Sequence, residues 1–175
     1  MPATYTLISS NVLSSAAASV TFSSIPSTYT DLVLRGSART SDTGTYLNYV
    51  SFTFNGNTSS LYGATRLIGN SSTVTTDRDA SATSFDMNGL SPTALTTSNT
   101  FSSFELYIPS YAASQNKPFG AFGVAENNSS TADQSRIQAD AGLFRSTTAI
   151  SSITLTSGVN FVSGSSFYLY GIKNS

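Results

Sequence analysis

The stretch "NYVSFTFNGN", residues 48–57, decides the fold class. In an extended chain Val50, Phe52 and Phe54 fall on one side and Ser51 and Thr53 on the other, which is the two-residue period of a half-buried strand. The run stops at Asn55-Gly56, a pair that tolerates positive φ and so favours a tight turn. A hairpin is expected here, with LYGATRLIG (61–69) as its returning strand.

The same period recurs on both sides of this stretch. Residues 4–9 (TYTLIS) alternate weakly, and 19–24 (SVTFSS) place Val20 and Phe22 together. TYTDLVLRGSAR (28–39) sets Leu32, Leu34 and Ala38 on one face. Asp31, Arg35 and Arg39 share the other, where the arginines can pair with carboxylates of neighbouring strands. FSSFELYIPSY (101–111) turns Phe104, Leu106 and Ile108 inward, and KPFGAFGVAE (117–126) has residues so small that another segment should pack close to it. RIQADAGLF (136–144) puts Ile137, Ala139, Ala141 and Leu143 on one side, and ISSITLTSG (150–158) and SSFYLYGIK (165–173) close the chain.

Three segments read less regularly. NSSTVTTDRDASATS (70–84) suggests a long loop or an exposed edge hairpin, FDMNGL (85–90) a short strand or bend, and SPTALTTSN (91–99) an irregular connection. No segment carries the 3.6-residue period and capping residues of a helix. The pattern predicts an all-β protein: a single-domain antiparallel β-sandwich, jelly-roll-like, of about ten strands across residues 1–175.

Composition narrows the function classes. Charged residues make up 10% of the chain, well below the roughly 25% of an average globular protein, and Ser and Thr fill 58 of 175 positions. With 39% hydrophobic residues, including 9 Tyr and 11 Phe, the chain can still bury a core, so disorder is not expected. The net charge is −1 and no basic run exists that could neutralise several phosphates, which argues against nucleic-acid binding. No stretch approaches the ~18 apolar residues of a membrane helix, and the N-terminal MPATYTLISSNVL lacks a signal-peptide pattern. Synthesis in a cytoplasm follows as an expectation. The sequons at Asn57, Asn70, Asn127 and Asn128 read as by-products of Ser/Thr abundance.

Catalytic resources are few. Without His there is no imidazole base, no Ser-His-Asp triad and none of the usual zinc sets, and without Cys there is neither thiol chemistry nor a disulfide. Lys117 and Lys173 are the only lysines for amine chemistry, and Lys173 reads as a solvated tail charge. The carboxylates considered are Asp31, Asp77, Asp79, Asp86, Glu105, Glu126, Asp133 and Asp140. Glycoside hydrolysis needs two of them about one bond, and Glu105 has no evident second. In TTDRDAS (75–81) a D-x-D spacing could hold a hard cation, but Arg78 between the acids opposes it and a loop salt bridge reads better. The chain is read as a non-enzyme with no cofactor and no metal. Tyr46, Tyr49, Tyr107, Tyr111, Tyr168 and Tyr170 remain as interface candidates, since a tyrosine on a sheet face can anchor a protein or stack on a sugar. Tyr168 and Tyr170 oppose Phe167 and Leu169, as in a strand covered by core on one face and by a loop or partner subunit on the other.

Three stretches also carry a resemblance. YTLISSNVLSS (5–15) with ASVTFSSIPSTYTDLVLRGSAR (18–39), then SFTFNGNTSSLYGATRLIGN (51–70), then SSFYLYGIKNS (165–175) resemble small virion structural proteins of tailed bacteriophages. The likeness covers both ends and the first 70 residues, and not 71–135. It implies a virion component made in the host cytoplasm, with a homotrimer, the major capsid protein or other virion proteins as partners. With no anchor or shaft repeat before residue 4, a capsid decoration or cement protein fits better than its alternative, a tail-fibre or tail-tip protein binding a host-surface receptor. A polysaccharide hydrolase is the remote third reading.

Overall fold

Aromatic and β-branched residues alternating with hydroxyls extend a chain and leave each strand one apolar face, which two facing sheets can hide. The computed structural model, which describes residues 4–128 and 134–173, has this arrangement. Its strands are β1 (Tyr5–Val12), β2 (Ala17–Phe22), β3 (Asp31–Ser37), β4 (Leu47–Phe54), β5 (Tyr62–Gly69) and β6 (Val74–Ala82). They continue with β7 (Phe85–Pro92), β8 (Ser103–Ile108), β9 (Lys117–Ala125), β10 (Arg136–Phe144), β11 (Ile153–Phe161) and β12 (Ser166–Ile172). No helix occurs among the described residues.

Eight strands form one antiparallel sheet in the order β1-β12-β3-β8-β9-β10-β5-β6, and four form the other, β2-β11-β4-β7. The all-β sandwich expected from the sequence is what forms, with twelve strands where about ten were anticipated. The two C-terminal strands sit inside the sheets. β12 lies between β1 and β3, with Tyr5 opposite Ile172, and β11 lies between β2 and β4, with Ile153 opposite both Phe22 and Phe54. The first two and last two strands are thus sewn into one core.

That core is aromatic. Val50, Phe52 and Phe54 are completely buried, as their alternation predicts. Phe52 stacks on Phe85 at 5.6 Å, and Phe54 meets the edges of Phe144 at 5.4 Å and Phe119 at 5.8 Å. Such pairs add roughly 0.5–1.5 kcal/mol each beyond the area they bury. The small-residue strand β9 is approached closely, as expected: a Cβ on Gly123 would lie 2.3 Å from Leu90 Cδ1.

Several local expectations are corrected. A turn does form at Asn55-Gly56, with φ of 56° and 62° and a 3.0 Å bond from Asn57 N to Phe54 O. It does not close a hairpin, because both flanks of β4 are taken by β11 and β7. LYGATRLIG crosses to the large sheet instead. Asn55 pins the turn to the entry of β11 through Ala149 O, Ser151 N and Ser152 N, and the Tyr62 hydroxyl accepts Phe54 N and donates to Asn57 O. Of the two readings of the strip 70–84 the exposed edge hairpin is the one that forms, with β6 pairing β5 at the sheet edge, and FDMNGL belongs to an eight-residue strand, β7. Arg39 meets no carboxylate among the described residues. It is buried and donates to Thr96, Thr97 and Thr100 carbonyl oxygens, closing the loop that follows β7.

The largest correction concerns β10. Its apolar side, Ile137, Ala139, Ala141 and Leu143, points to solvent, while Gln138, Asp140 and Phe144 point inward. The small sheet ends at β7, which lies over β9, β10 and β5. Among the described residues no second layer covers the outer surface of the large sheet.

Candidate functional site

Register places the outward side chains of the large sheet in rows that run across the strands. One row reads Tyr168, Arg35, Glu105, Phe122, Ala139, Leu67 along β12, β3, β8, β9, β10 and β5. The next reads Ser166, Ser37, Ser103, Val124, Ile137, Gly69 on the same strands. Together they divide the face into two halves of different chemistry.

On the β9-β10-β5 half, all twelve outward positions are uncharged. They are Pro118, Gly120, Phe122 and Val124 on β9, Ile137, Ala139, Ala141 and Leu143 on β10, and Gly63, Thr65, Leu67 and Gly69 on β5. Phe122, Leu67 and Ile137 are 51%, 53% and 50% exposed. Single exposed apolar residues mean little, but a contiguous band of them marks a contact surface.

On the β12-β3-β8 half the rows form a step. Tall side chains (Tyr168, Arg35, Glu105, Phe122) stand beside the short Ser166, Ser37 and Ser103, and the groove between them encloses about 300 Å³. Arg35 Nε donates to Glu105 Oε2 at 2.7 Å, the direct consequence of their facing each other in register. The Arg35 guanidinium carbon lies 5.6 Å from the Tyr5 ring centre and 6.0 Å from that of Tyr170. The hydrogen bond that Arg35 donates to Glu105 raises the Arg35 pKa above its ordinary value.

No known protein family, curated protein or solved structure matches the chain.

The six tyrosines are not brought together. Tyr107, Tyr168 and Tyr170 lie on the outer face of the large sheet, where Tyr107 is fixed by donating its hydroxyl to Asp31 Oδ2 at 2.8 Å. That bond is the first cause of the upward shift in its pKa. Tyr46 and Tyr49 are exposed on the small-sheet side, with the Tyr49 hydroxyl against Gly158. Tyr111 is no interface residue. It is completely buried, and its hydroxyl donates to Pro26 O.

The candidate acids separate as well. Asp77 and Asp79 share one side of β6 with Arg66 on β5, while Arg78 alternates to the other side, opposite Thr65. Arg66, 1% exposed, meets Asp77 Oδ2 at 3.2 Å, Asp79 Oδ2, Asp140 Oδ1 at 3.4 Å and the carbonyl of Asp86 at 3.2 Å. The D-x-D pair thus closes a strand-to-strand ion cluster, where a loop salt bridge was expected. Burial raises the Asp140 pKa to about 6, against the stabilising amide of Gln138 and charge of Arg66. Three carboxylates on one guanidinium leave an excess of negative charge, which acts in the same direction.

Asp86 accepts the Ser84 hydroxyl, and Glu126 accepts the amides of Asn127 and Asn128. Asp133 lies outside the described residues. Lys117 is completely buried, and its ammonium donates to the carbonyls of Ala113, Gln115 and Ser146, a structural cap rather than an exposed nucleophile. Burial lowers its pKa. No group of three or more acidic residues among those described is arranged to hold a metal. Sequence reading missed Arg66, Phe122 and the three groove serines. Arg66 had a visible signal, a D-x-D strip following a strand with one arginine, whereas three serines among 34 had none.

Proposed function

We propose that this chain is a structural, non-catalytic virion component of a tailed bacteriophage, a decoration protein that docks on the assembled capsid shell. The observation that carries the reading is the uncharged apolar band over β9, β10 and β5, an outer sheet face that no second layer covers among the described residues. A low-charge surface of this kind binds by close fit and excluded water rather than by long-range attraction. The resemblance at both ends of the chain supplies the virion, the shell as partner and the homotrimer as the docking unit.

A protein that binds the assembled lattice and not free coat subunits shifts disassembly to harsher conditions by linkage. Virions depleted of it should release DNA at lower temperature yet still adsorb to cells. Added protein should restore heat resistance even at ~0.5 M salt, where exposed charge pairs are screened. The variant Phe122→Asp/Leu67→Asp should fail to restore it, because docking would bury two unpaired carboxylates. Depleted particles that resist heat like the wild type but fail to adsorb would overturn this reading in favour of a tail-tip receptor binder.

A further inference from the structure

The groove on the β12-β3-β8 half calls for a ligand of its own. On the face of a sheet the backbone N–H and C=O groups are already spent in the ladders, so a ligand there can bond only to side chains. A peptide strand, which binds through main-chain bonds at a sheet edge, gains nothing from such a surface.

The side chains present are specific in kind. The hydroxyls of Ser37, Ser103 and Ser166 form the low row, and none of them bonds another described residue. The Tyr168 hydroxyl is equally unbonded within the described chain. The Arg35–Glu105 bond uses one guanidinium N–H and one carboxylate oxygen, leaving both terminal amino groups and Glu105 Oε1 open. These form a donor and an acceptor side by side, held in place by each other and by the Tyr5 and Tyr170 rings. Aromatic rings stand at both ends of the tall row, Tyr168 on β12 and Phe122 on β9, three strand spacings or about 14 Å apart.

We infer that this groove is a binding site for a neutral oligosaccharide. A sugar ring presents hydroxyls at its rim and an apolar C–H face, and the groove offers both complements: hydroxyls with a paired donor and acceptor, and aromatic rings. Neutrality follows from charge, because Arg35 and Glu105 cancel and no further charged residue lines the groove. Its 300 Å³ stands at the small end of the range for small-molecule sites, which suits one or two rings held at a time. The groove holds a single carboxylate where hydrolysis requires two, so the sugar is bound and released unchanged. A single site of this kind is weak, and several copies on one particle would multiply it through avidity. The inference goes beyond shell docking: Phe122 and Val124 are shared with the apolar band, whereas Tyr168, Arg35, Glu105 and the three serines lie outside it on β12, β3 and β8, so glycan binding by the purified chain is read independently of docking.

The test is an array of neutral hexose and N-acetylhexosamine oligosaccharides probed with the purified full chain. It is followed by titration of ¹⁵N-labelled protein with the best binder, and with cellotriose, chitotriose and, as an acidic control, trigalacturonate. Expected is a neutral glycan with a dissociation constant of about 1 mM or tighter, shifting the amides of residues 35–37, 103–105 and 166–168. Tyr168→Ala should weaken it about tenfold and Ser103→Val by a factor of about 3–10, with unchanged melting curves, whereas Ile137→Ser should leave it unaltered. No neutral glycan binding at ~10 mM, shifts that map elsewhere, or affinity that survives Tyr168→Ala and Ser103→Val would each overturn the assignment.

Discussion

β4 and β10 alternate equally cleanly, yet they turn opposite sides to the core. In β4 the apolar set Val50, Phe52 and Phe54 is wholly buried. In β10 the apolar set Ile137, Ala139, Ala141 and Leu143 is outside, and the buried side includes Gln138 and Asp140. The difference lies in what each strand faces. β4 is an inner strand of the small sheet, and the aromatic rings of the large sheet cover it. β10 passes under β7, the last strand of that sheet, where Arg66 already bonds the carbonyl of Asp86 and Arg136 that of Asn88. There Asp140 accepts from the Gln138 amide and faces Arg66, and an apolar side chain in its place would leave Arg66 without it. Alternation shows that a strand has two faces; the neighbour decides which one is the core.

The strongest test of the β4 half is Phe52→Ala. It should cost about 3–5 kcal/mol and lower the melting temperature by roughly 10 °C, through lost transfer energy and the cavity left between Phe85 and Phe104. A loss below about 1 kcal/mol would mean that this core is not the one described.

Arg66→Met probes the inner side of β10. Removing the guanidinium leaves Asp140 buried and unpaired, and about 3 kcal/mol should be lost in chemical denaturation. Arg78→Met, one residue from the same two acids but on the other face, should change stability by no more than about 0.5 kcal/mol. Equal effects would show that the register assigned to β6 is wrong.

Asp140 sharpens the comparison through pH. Its pKa is raised in the folded state to about 6, so between pH ~4 and ~6 the native chain holds a proton that the unfolded chain has released. Stability from this group is therefore full below pH ~4, falls as pH rises towards ~6 and is flat above, by about 3 kcal/mol in total. A half-turn of the Gln138 amide would let protonated Asp140 donate to Gln138 Oε1, which otherwise lacks a partner. Denaturation midpoints measured from pH 4.5 to 7.5 should slope downward in the wild type and lie flat in Asp140→Asn. Parallel curves would remove Asp140 as the source.

The smallest effect is expected on the outer side of β10. Ile137→Ser should leave the stability of the isolated chain within about 0.5 kcal/mol of wild type, because the side chain is already half exposed. A large stability loss in a chain shown to be monomeric would place Ile137 in the core after all.

Much of this could be read from residues alone. Strand positions, the absence of helix and the inward sets of β4 and β8 follow from local alternation. The edge strand β6 showed only as one of two readings, an exposed edge hairpin beside a long loop, because neither of its sides lies under the second sheet and so nothing demanded an apolar residue there. The turn at Asn55-Gly56 was visible from its φ preference, but its partner strand was not, since pairing depends on which flanks of β4 remain open. The D-x-D strip was visible as a charge cluster, but Arg66 became its partner only through the Arg66–Asp77 register.

By itself, then, the sequence determined the backbone class: two-residue periodicity with hydroxyls and aromatics commits the chain to strands and hence to a layered sandwich. Only the tertiary structure decided the rest. It set β11 and β12 between the N-terminal strands, ended the small sheet at β7 and so left one face of the large sheet bare. It also lined up Tyr168, Arg35, Glu105 and Phe122, drawn from four separate strands, beside three serines. The physical reason is range. A side chain's alternation is set within a few residues by backbone geometry, whereas strand order and register come from long-range pairing, and both proposed surfaces are made of register.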